Sequence, residues 1–499
     1  MKLTRKQVIL EDLSNALKTA THEGHCRLGL LTSVDGTQLC SLVLDPTLGT
    51  AEYWETPLRN SYYRSLTAVL PETNWFERAN WDLFGIIPNQ HPRLKHLLLH
   101  EQYKRGFYPL RPQPLVHERA EDTDRQFHFL EVQGEGVYEL PVGPIHAGVI
   151  EPGHFRFSCL GENILNLEIR LGYVHRGVEK RLTEIPWTKA RFVAEAAASD
   201  TAAANALAHA IAIESLFELE VPARAQVLRT IALELERIAM HIIDIGGIGT
   251  DIGFLGFSTS MSRLRGKALG LAQLLSGSRF LRGFILPGGT KPVSAERLAA
   301  MLHTCQQLRE DLKPVIAILE ENLVATERMD SFGKVSRSLA REFGLVGVAA
   351  RACGIEYDTR AHFCQGIYPK DAPPLSVEQN GDILSRTRVR IAELWRSLDL
   401  VEKLLSETCA GATSTTSSCI ELPQQLPPDA VAAGIVEAFR GELIHLIVTG
   451  EKGQIRRYCI KDPSSNNWTA LSIAIRNNLI ADFPLCNKSF SLSYSGNDL

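Results

Sequence analysis

The sequence predicts an α+β protein, with a small N-terminal α+β domain joined to a large, mainly helical domain. Before residue 112, short apolar stretches such as Leu28 to Thr32 and Gln38 to Leu44 predict strands mixed with helices. Pro112 and Pro114, followed by the charged run from His117 to Arg125, then interrupt the apolar periodicity. Beyond this break, long runs with apolar residues at spacings of three and four predict helices.

We place the N-terminal domain at residues 1–115, a linker at 116–140 and the helical domain at 141–499. The clearest helix is predicted from Ala225 to about Ile245, and others over roughly 200–218, 260–281, 293–325 and 380–406. Glu442 to Val448 and Gln454 to Ile460 predict a late hairpin. The stretch Gly411–Ser418 contains only Gly, Ala, Ser and Thr, which is typical of a flexible loop.

The composition excludes several classes of protein. The chain is 44% hydrophobic and 22% charged, which is ordinary for a protein with a large core, and its net charge of -4 gives no footprint for nucleic acid. We find no apolar run of about 20 residues, so a role at a membrane would be peripheral. None of the ten cysteines has CxxC spacing, and most are expected to be buried in a reducing compartment.

A series of motifs then points to a known family. The N-terminal region contains, in order, Trp75-Phe76-Glu77-Arg78, Trp81-Asp82-Leu83-Phe84-Gly85-Ile86, His91-Pro92, Leu97-Leu98 and Pro109-Leu110-Arg111. In order and spacing these resemble the C subunit of complex I.

The larger region contains a second series. It runs through Gly143-Pro144-Ile145-His146, Glu151-Pro152-Gly153-His154-Phe155-Arg156, Gly172-Tyr173-Val174-His175-Arg176-Gly177-Val178-Glu179-Lys180, Val221-Pro222-Ala223-Arg224-Ala225-Gln226, Pro287-Gly288-Gly289, Arg351-Ala352-Cys353-Gly354, Gly381-Asp382 with Arg386, Arg390 and Glu393, Arg440-Gly441-Glu442 and Asp462-Pro463-Ser464. These resemble the large subunit of complex I-related hydrogenases, such as those of formate hydrogenlyase, and the complex I D subunit. The resemblance covers nearly the whole chain.

The resemblance implies a peripheral-arm subunit of a membrane-bound oxidoreductase. In such a complex, electrons pass from iron–sulfur clusters in neighbouring subunits to quinone or protons, coupled to ion translocation. The implied partners are a small subunit with a four-iron four-sulfur cluster, other iron–sulfur proteins and integral-membrane subunits, and no nucleic acid. The implied donor is NAD(P)H or a similar molecule, quinone is a possible acceptor, and the implied location is the cytoplasmic face of the cell membrane.

The chain departs from its hydrogenase relatives at the metal ligands. Hydrogenases of this family hold nickel and iron with two CxxC pairs, because thiolates are the soft ligands that these metals take. Counting along the chain from the flanking motifs places the early pair at Ala198 and Thr201, to within about one residue, and the late pair at Ser493 and Gly496. Since none of the four supplies a thiolate, we expect no nickel and no metal bound by this chain.

Three residues are candidates for catalysis in the vacated site. Ser199 occupies the position where complex I D subunits carry a tyrosine that donates a hydrogen bond to quinone, and a serine hydroxyl has a shorter reach. Glu151 matches a carboxylate that resembles the proton gate of hydrogenases. It could instead only cap or salt-bridge the hairpin. Asp251 matches an aspartate that orients a quinone-site histidine, or it could be a helix or loop cap.

Four further residues are candidates for contact with the neighbouring cluster. Glu234, Arg237 and His241 share one helix face by their spacing. The matching face in complex I approaches the terminal cluster, where charges tune its potential. The alternative is a solvated face with ordinary ion pairs. Arg176 lies in a motif beside the expected interface with the small subunit, where it could instead only form a structural ion pair.

These observations favour an electron-transfer and coupling subunit without a nickel–iron centre, whose cavity admits quinone or another small acceptor. The rival interpretation is a non-catalytic scaffold that links the peripheral and membrane arms. Loss of all four ligands and of the tyrosine favours the scaffold. The presence of Glu151, His241 and Asp251 favours the electron-transfer subunit.

Overall fold

The computed structural model describes residues 1, 3–104, 106–112, 127–146, 150–363, 368–410 and 419–499, except the side chains of Pro369 and Lys370. The predicted loop Gly411–Ser418 and Cys364 therefore lie outside the described residues. Within them, the mixture of a sheet-containing N-terminal region and a larger, mainly helical region confirms the predicted α+β class.

The N-terminal region is built on a four-stranded sheet in the order β1-β4-β3-β2, in which β1 is parallel to β4 and the other pairs are antiparallel. Its elements are β1 Thr4–Gln7, α1 Leu10–Lys18, β2 Arg27–Thr32, β3 Gln38–Asp45, β4 Thr50–Pro57, β5 Tyr62–Arg64, α2 Asn74–Phe84 and β6 Ile87–Asn89. The short strands β5 and β6 pair separately and in parallel. The strands predicted at 28–32 and 38–44 are confirmed.

Two antiparallel three-stranded sheets belong to the larger region. The first contains β7 Val137–Val142, β8 His154–Leu160 and β9 Asn163–Arg170. After the short pair β10 Ile285–Leu286 and β11 Gly289–Thr290, the second contains β12 Val431–Ala438, β13 Gly441–Thr449 and β14 Ile455–Lys461. The predicted late hairpin is thus confirmed as β13 and β14.

Helices form the rest of the larger region. They are α3 Val178–Glu184, α4 Trp187–Ala194, α5 Ala202–Leu216, α6 Ala223–Asp251, α7 Leu255–Ser276, α8 Ala295–Glu320, α9 Leu323–Met329, α10 Arg337–Glu342, α11 Gly347–Ala352, α12 Thr359–His362, α13 Tyr368–Asp371, α14 Ile383–Cys409, α15 Ser464–Ala474, α16 Phe483–Phe490 and α17 Tyr494–Asp498. All five predicted helices are present.

Glycines explain why α6 continues past its predicted end near Ile245. A Cβ on Gly246 would lie 2.8 Å from the Cβ of Met261, and one on Gly249 would lie 2.9 Å from the Ser258 hydroxyl. These glycines therefore allow α6 and α7 to pack closely along their length instead of ending the helix. The extension carries α6 to Asp251, one of the predicted site residues.

The regions share one apolar core, and no described helix combines the length and apolarity needed to cross a bilayer. β7 begins at Val137, and residues 113–126 lie outside the described part, so the domain boundaries stay a prediction. The expected burial of most cysteines is confirmed for six of the described ones: Cys40, Cys159, Cys305, Cys353, Cys459 and Cys486.

Candidate functional site

A cleft of about 570 Å³ opens between the start of β8, the loop before α5, the end of α6 and the helices α16 and α17. Glu151, Ser199 and Asp251 all line it. The fold thus brings together all three residues that the sequence predicts as catalytic, although they are separated by up to a hundred positions along the chain. Their chemical roles stay predictions.

The four positions to which the resemblance assigns nickel–iron ligands lie beside this cleft, and their residues do not fit such a centre. Ala198 and Thr201 are each only 1% exposed and carry no thiol. The Ser493 hydroxyl accepts a hydrogen bond from the Gly496 N–H at 2.9 Å, and a Cβ on Gly496 would lie 2.7 Å from the carboxyl carbon of Asp462. Position 496 therefore has no room for a cysteine side chain. The described residues contain no cluster of metal-ligand type.

An ion pair that the sequence analysis did not single out lies in the wall of the cleft. The Arg440 guanidinium donates two hydrogen bonds to the Asp200 carboxylate, at 2.9 and 2.6 Å, and a third to the Ser491 carbonyl. Burial raises the pKa of Asp200, but Arg440 outweighs it and the pKa is lowered overall. The two charges compensate each other, so this wall carries little net charge.

Glu151 is held by backbone donors. One oxygen of its carboxylate accepts hydrogen bonds from the N–H groups of Tyr494 and Ser495, at 3.2 and 3.0 Å. This is the contact expected of a residue that caps a loop, and it leaves the other carboxylate oxygen outside these bonds. The proton-gate role therefore stays a prediction that the geometry does not oppose.

Asp251 and Ser199 lie on different walls of the cleft. Asp251 ends α6 with one buried carboxylate oxygen that makes no hydrogen bond, and its nearest cation is Lys488, 3.9 Å away. Burial raises the pKa of this carboxyl and Lys488 opposes the rise. Ser199 is exposed to the cleft in the loop before α5.

Tyr494 supplies a further polar group that sequence reasoning missed. Its ring packs against Gly153, where an added Cβ would come within 2.8 Å of Cδ1, and makes an edge contact with Trp468 at 4.9 Å. The side chain is 95% buried and lines the cleft, but its hydroxyl makes no hydrogen bond of normal geometry. The sequence does contain a signal for this residue, because a tyrosine directly follows position 493, to which the resemblance assigns a metal ligand.

Glu234, Arg237 and His241 lie outside the cleft, in the buried face of α6. All three are 0% exposed, so the alternative of a solvated helix face is wrong. Arg237 Nε lies 3.2 Å from Glu234, and His241 Nε2 lies 3.0 Å from Glu393 of α14. Further ion pairs extend the network through Arg351, Asp358, Arg360 and Glu437. Within this network, Asp358 and Arg360 form a buried ion pair, with carboxylate oxygen and guanidinium nitrogen 2.7 Å apart.

The network sets the protonation of its members. Burial lowers the pKa of His241, only partly opposed by the hydrogen bond to Glu393, so the imidazole is neutral near pH 7. The charged side chains of Arg237 and Glu393 beside His241 also form an ion pair with each other, at 3.7 Å. An influence of these residues on a cluster in a neighbouring subunit stays a prediction.

Arg176 connects the two loops to which the resemblance assigns the ligand pairs. Its guanidinium donates to the carbonyls of Ala196 and Ala197, at 2.9 and 2.6 Å, and to the carbonyl of Ser495 at 3.2 Å. The residue as a whole is exposed. This geometry stabilises the cleft from outside, and the predicted contact with the small subunit stays untested.

Comparisons with known proteins find matches in both regions of the chain. Residues 7–119 match the family of the 30 kDa subunit of respiratory-chain NADH dehydrogenase, and residues 251–498 match that of its 49 kDa subunit. Formate hydrogenlyase subunit 5 of Escherichia coli K12 is 30% identical over 449 residues, which cover 87% of this chain and 77% of the relative.

Other relatives include hydrogenase-4 component G of the same organism, at 29% identity over 96% of this chain and 82% of its own. The fused C/D subunit of NADH-quinone oxidoreductase from Bdellovibrio bacteriovorus is 26% identical over 82% of this chain and 78% of its own. Among solved structures, a chain of the archaeal membrane-bound sulfane sulfur reductase superposes with a TM-score of 0.68 at 25% identity. The superposition covers 73% of this chain and 99% of that one.

Proposed function

This chain belongs to the family of complex I-related subunits in which the 30 kDa and 49 kDa parts are fused, and we propose that its cleft receives a small electron acceptor in place of a nickel–iron centre. As a member, it is a subunit of a complex I-related membrane-bound oxidoreductase. Electrons would come from iron–sulfur clusters of partner subunits, and quinone is the acceptor that we favour.

The proposal rests on the presence of the cleft. Where the resemblance would place a metal, this chain has an open cleft of about 570 Å³ that apolar side chains do not fill. Ligand sites are typically clefts of this size with a few convergent polar groups. Here those groups are Glu151, Ser199 and Asp251, together with the compensated pair of Arg440 and Asp200.

The likeness to a sulfane sulfur reductase supports a small acceptor without naming quinone. We favour quinone because the NADH-quinone oxidoreductase relatives match both regions of the chain. The electron donor that we propose is NAD(P)H or a similar molecule, which would act on other subunits of the complex.

The proposed assembly follows the same family. A small subunit with a four-iron four-sulfur cluster would bind beside the loops that Arg176 connects. Other iron–sulfur proteins and integral-membrane subunits would complete an arm on the cytoplasmic face of the membrane, where electron transfer is coupled to ion translocation. This chain itself would bind no cluster and no nickel.

Reoxidation of the clusters tests the proposal in the intact complex isolated with its membrane partners. The clusters are reduced chemically, and their spectrum is followed after addition of a water-soluble short-chain quinone. We expect rapid reoxidation in the natural complex and its loss in Ser199→Trp, because a bulky indole at this exposed position fills the cleft.

The matched control is Ser338→Trp, which places the same side chain at an exposed position in α10. It should leave reoxidation unchanged. Reoxidation that is equally fast in Ser199→Trp would contradict a role for the cleft. If the natural complex has intact clusters but no reoxidation with quinone or with a sulfane sulfur compound, the scaffold interpretation is favoured instead.

A further inference from the structure

The feature that suggests a more specific assignment is the unpaired hydroxyl of Tyr494. Buried polar groups almost always have a hydrogen-bond partner, and leaving one unpaired costs about 1–3 kcal/mol. This hydroxyl makes no hydrogen bond of normal geometry, although the side chain is only 5% exposed and forms part of the cleft wall. A bound molecule in the cleft would supply the missing partner.

The ring of Tyr494 is held in a fixed position. Gly153 leaves the space in which the ring lies, Trp468 contacts it edge-on, and Glu151 fixes its backbone N–H. Because these contacts come from α15 and the segment before β8, the hydroxyl keeps its place without a ligand. Such preorganisation is what a hydrogen-bond donor in a binding site requires.

The other groups on this side of the cleft suit a molecule that bears an oxygen. Lys488 presents an ammonium group 3.9 Å from the Asp251 carboxylate, and Asn487 lines the same wall. A tyrosine hydroxyl ordinarily has a pKa of about 10, so Tyr494 is a hydrogen-bond donor at neutral pH. A donor and a cation together favour an acceptor oxygen that gains electron density on reduction.

We propose that Tyr494, on the wall formed by α17, donates the hydrogen bond to the acceptor's carbonyl oxygen, with Gly153 positioning its ring. This deepens the proposed function, on which it rests. The proposal places the hydrogen-bond donor in the loop at residues 493–496. The resemblance would instead place the donor at position 199, which is a serine in this chain. The ligand class is a quinone-type carbonyl compound.

The test is the affinity of the intact complex for a short-chain benzoquinone, measured by calorimetry with the clusters oxidised so that no turnover occurs. Tyr494→Phe removes only the hydroxyl. We expect affinity to fall roughly three- to tenfold, the equivalent of one neutral hydrogen bond. Assembly should be unchanged and thermal stability equal or higher, because the hydroxyl makes no well-formed hydrogen bond within the protein and its removal relieves the cost of burial.

Tyr53→Phe is the matched control. Its hydroxyl is also buried without a hydrogen bond, but it lies on β4 of the N-terminal sheet. The variant should bind the quinone like the natural complex. Equal affinities for the natural complex and Tyr494→Phe would overturn the assignment, and so would a natural complex that binds no benzoquinone.

Gly153→Ala tests the positioning role. Its Cβ would push the tyrosine ring aside, so affinity should fall as in Tyr494→Phe. In the double variant Gly153→Ala should add little, because there is no hydroxyl left to displace. Full additivity would show that Gly153 acts independently of Tyr494 and would overturn its positioning role.

The two proposals fail in distinguishable ways. Absence of cluster reoxidation in the natural complex removes the proposed function. In the other case, the natural complex binds quinone and its clusters are reoxidised, and Ser199→Trp blocks both while Tyr494→Phe changes neither. That result supports the proposed function and contradicts only the assignment of Tyr494.

Discussion

The loop at residues 493–496, to which the resemblance assigns the late ligand pair, shows how single residues fill the space around those positions. Ser493 bonds to the Gly496 N–H, its own N–H donates to the Ser464 hydroxyl at 2.9 Å, and the Asp462 carboxylate stands against Gly496. All of these residues are buried. The loop is therefore a packed and hydrogen-bonded segment.

Gly496→Ala tests this packing. A single methyl group would meet the Asp462 carboxyl carbon at 2.7 Å, so we expect the free energy of unfolding to fall by about 1–3 kcal/mol, as in overpacked cores. Chemical denaturation of the purified chain measures the change. Gly256→Ala in α7 is the control: nothing lies within 4 Å of its added Cβ, so stability should be equal or slightly higher. Equal effects of the two substitutions would show that position 496 is not crowded.

For single residues, the sequence predicts which ligand side chains are missing better than it predicts which groups fill their space. The missing thiols follow from counting along the motifs. The crowding of Gly496 by Asp462 could not be predicted, because the two residues are far apart in sequence and only the fold brings them together. The same holds for the pair of Arg440 and Asp200, which lie 240 positions apart.

Helix α6 connects the cleft to the buried charge network. One end carries Asp251 into the cleft, while its middle turns place Glu234, Arg237 and His241 among carboxylates and guanidiniums from α14, β12 and the segment around α12. Removal of one member of a buried ion pair leaves its partner uncompensated. The network therefore fixes how α6 sits against α14.

Glu234→Gln should destabilise the chain by about 3–5 kcal/mol near pH 7, because Arg237 and Arg360 lose their counter-charge. Burial raises the pKa of Glu234, but these arginines, Ser397 and Tyr368 outweigh it and lower the pKa from 4.5 to about 2. Its contribution is thus complete above pH 4.5 and is lost as the pH falls towards 2.

The difference in free energy of unfolding between Glu234→Gln and the natural chain should therefore narrow between pH 4.5 and pH 2. Denaturant titrations at several pH values measure it. Glu320→Gln, at an exposed position of α8, should change stability by less than about 0.5 kcal/mol. A difference that does not change with pH would mean that the Glu234 charge does not stabilise the fold.

The spacing of residues on α6 predicts correctly that Glu234, Arg237 and His241 lie together. It cannot tell whether their common face meets water, because charged residues suggest exposure unless their partners are known. Those partners come from segments more than a hundred residues later in the sequence. The apolar periodicity predicts the helix, whereas ion pairs with distant segments determine that its charged face is buried.

In the whole molecule, the N-terminal region is packed onto the larger one along a broad polar and apolar contact. The Trp75 indole donates to the Thr469 hydroxyl at 2.7 Å, Arg457 donates to Thr32 at 2.9 Å, and Arg27 donates to the Gly344 carbonyl at 3.2 Å. The apolar core continues across this contact. The resemblance predicts both regions, but it does not predict these contacts between them.

We therefore expect one cooperative thermal transition in calorimetry. Trp75→Ala should lower the free energy of unfolding by about 3–5 kcal/mol, and with it the transition temperature, since a buried aromatic side chain is lost from the contact. Leu17→Ala, within the N-terminal region, should lower the same single transition. Two separate transitions, with only the first affected by Leu17→Ala, would show that the regions unfold independently.

The crowding at Gly496 has an evolutionary consequence. In a lineage that carries this chain, four cysteine codons alone would not create a hydrogenase centre, because a cysteine at position 496 would collide with Asp462. Such a gain would first require a change at Asp462, whose carboxylate accepts the Ser464 N–H. The order of mutations therefore matters, and Asp462 must change before position 496.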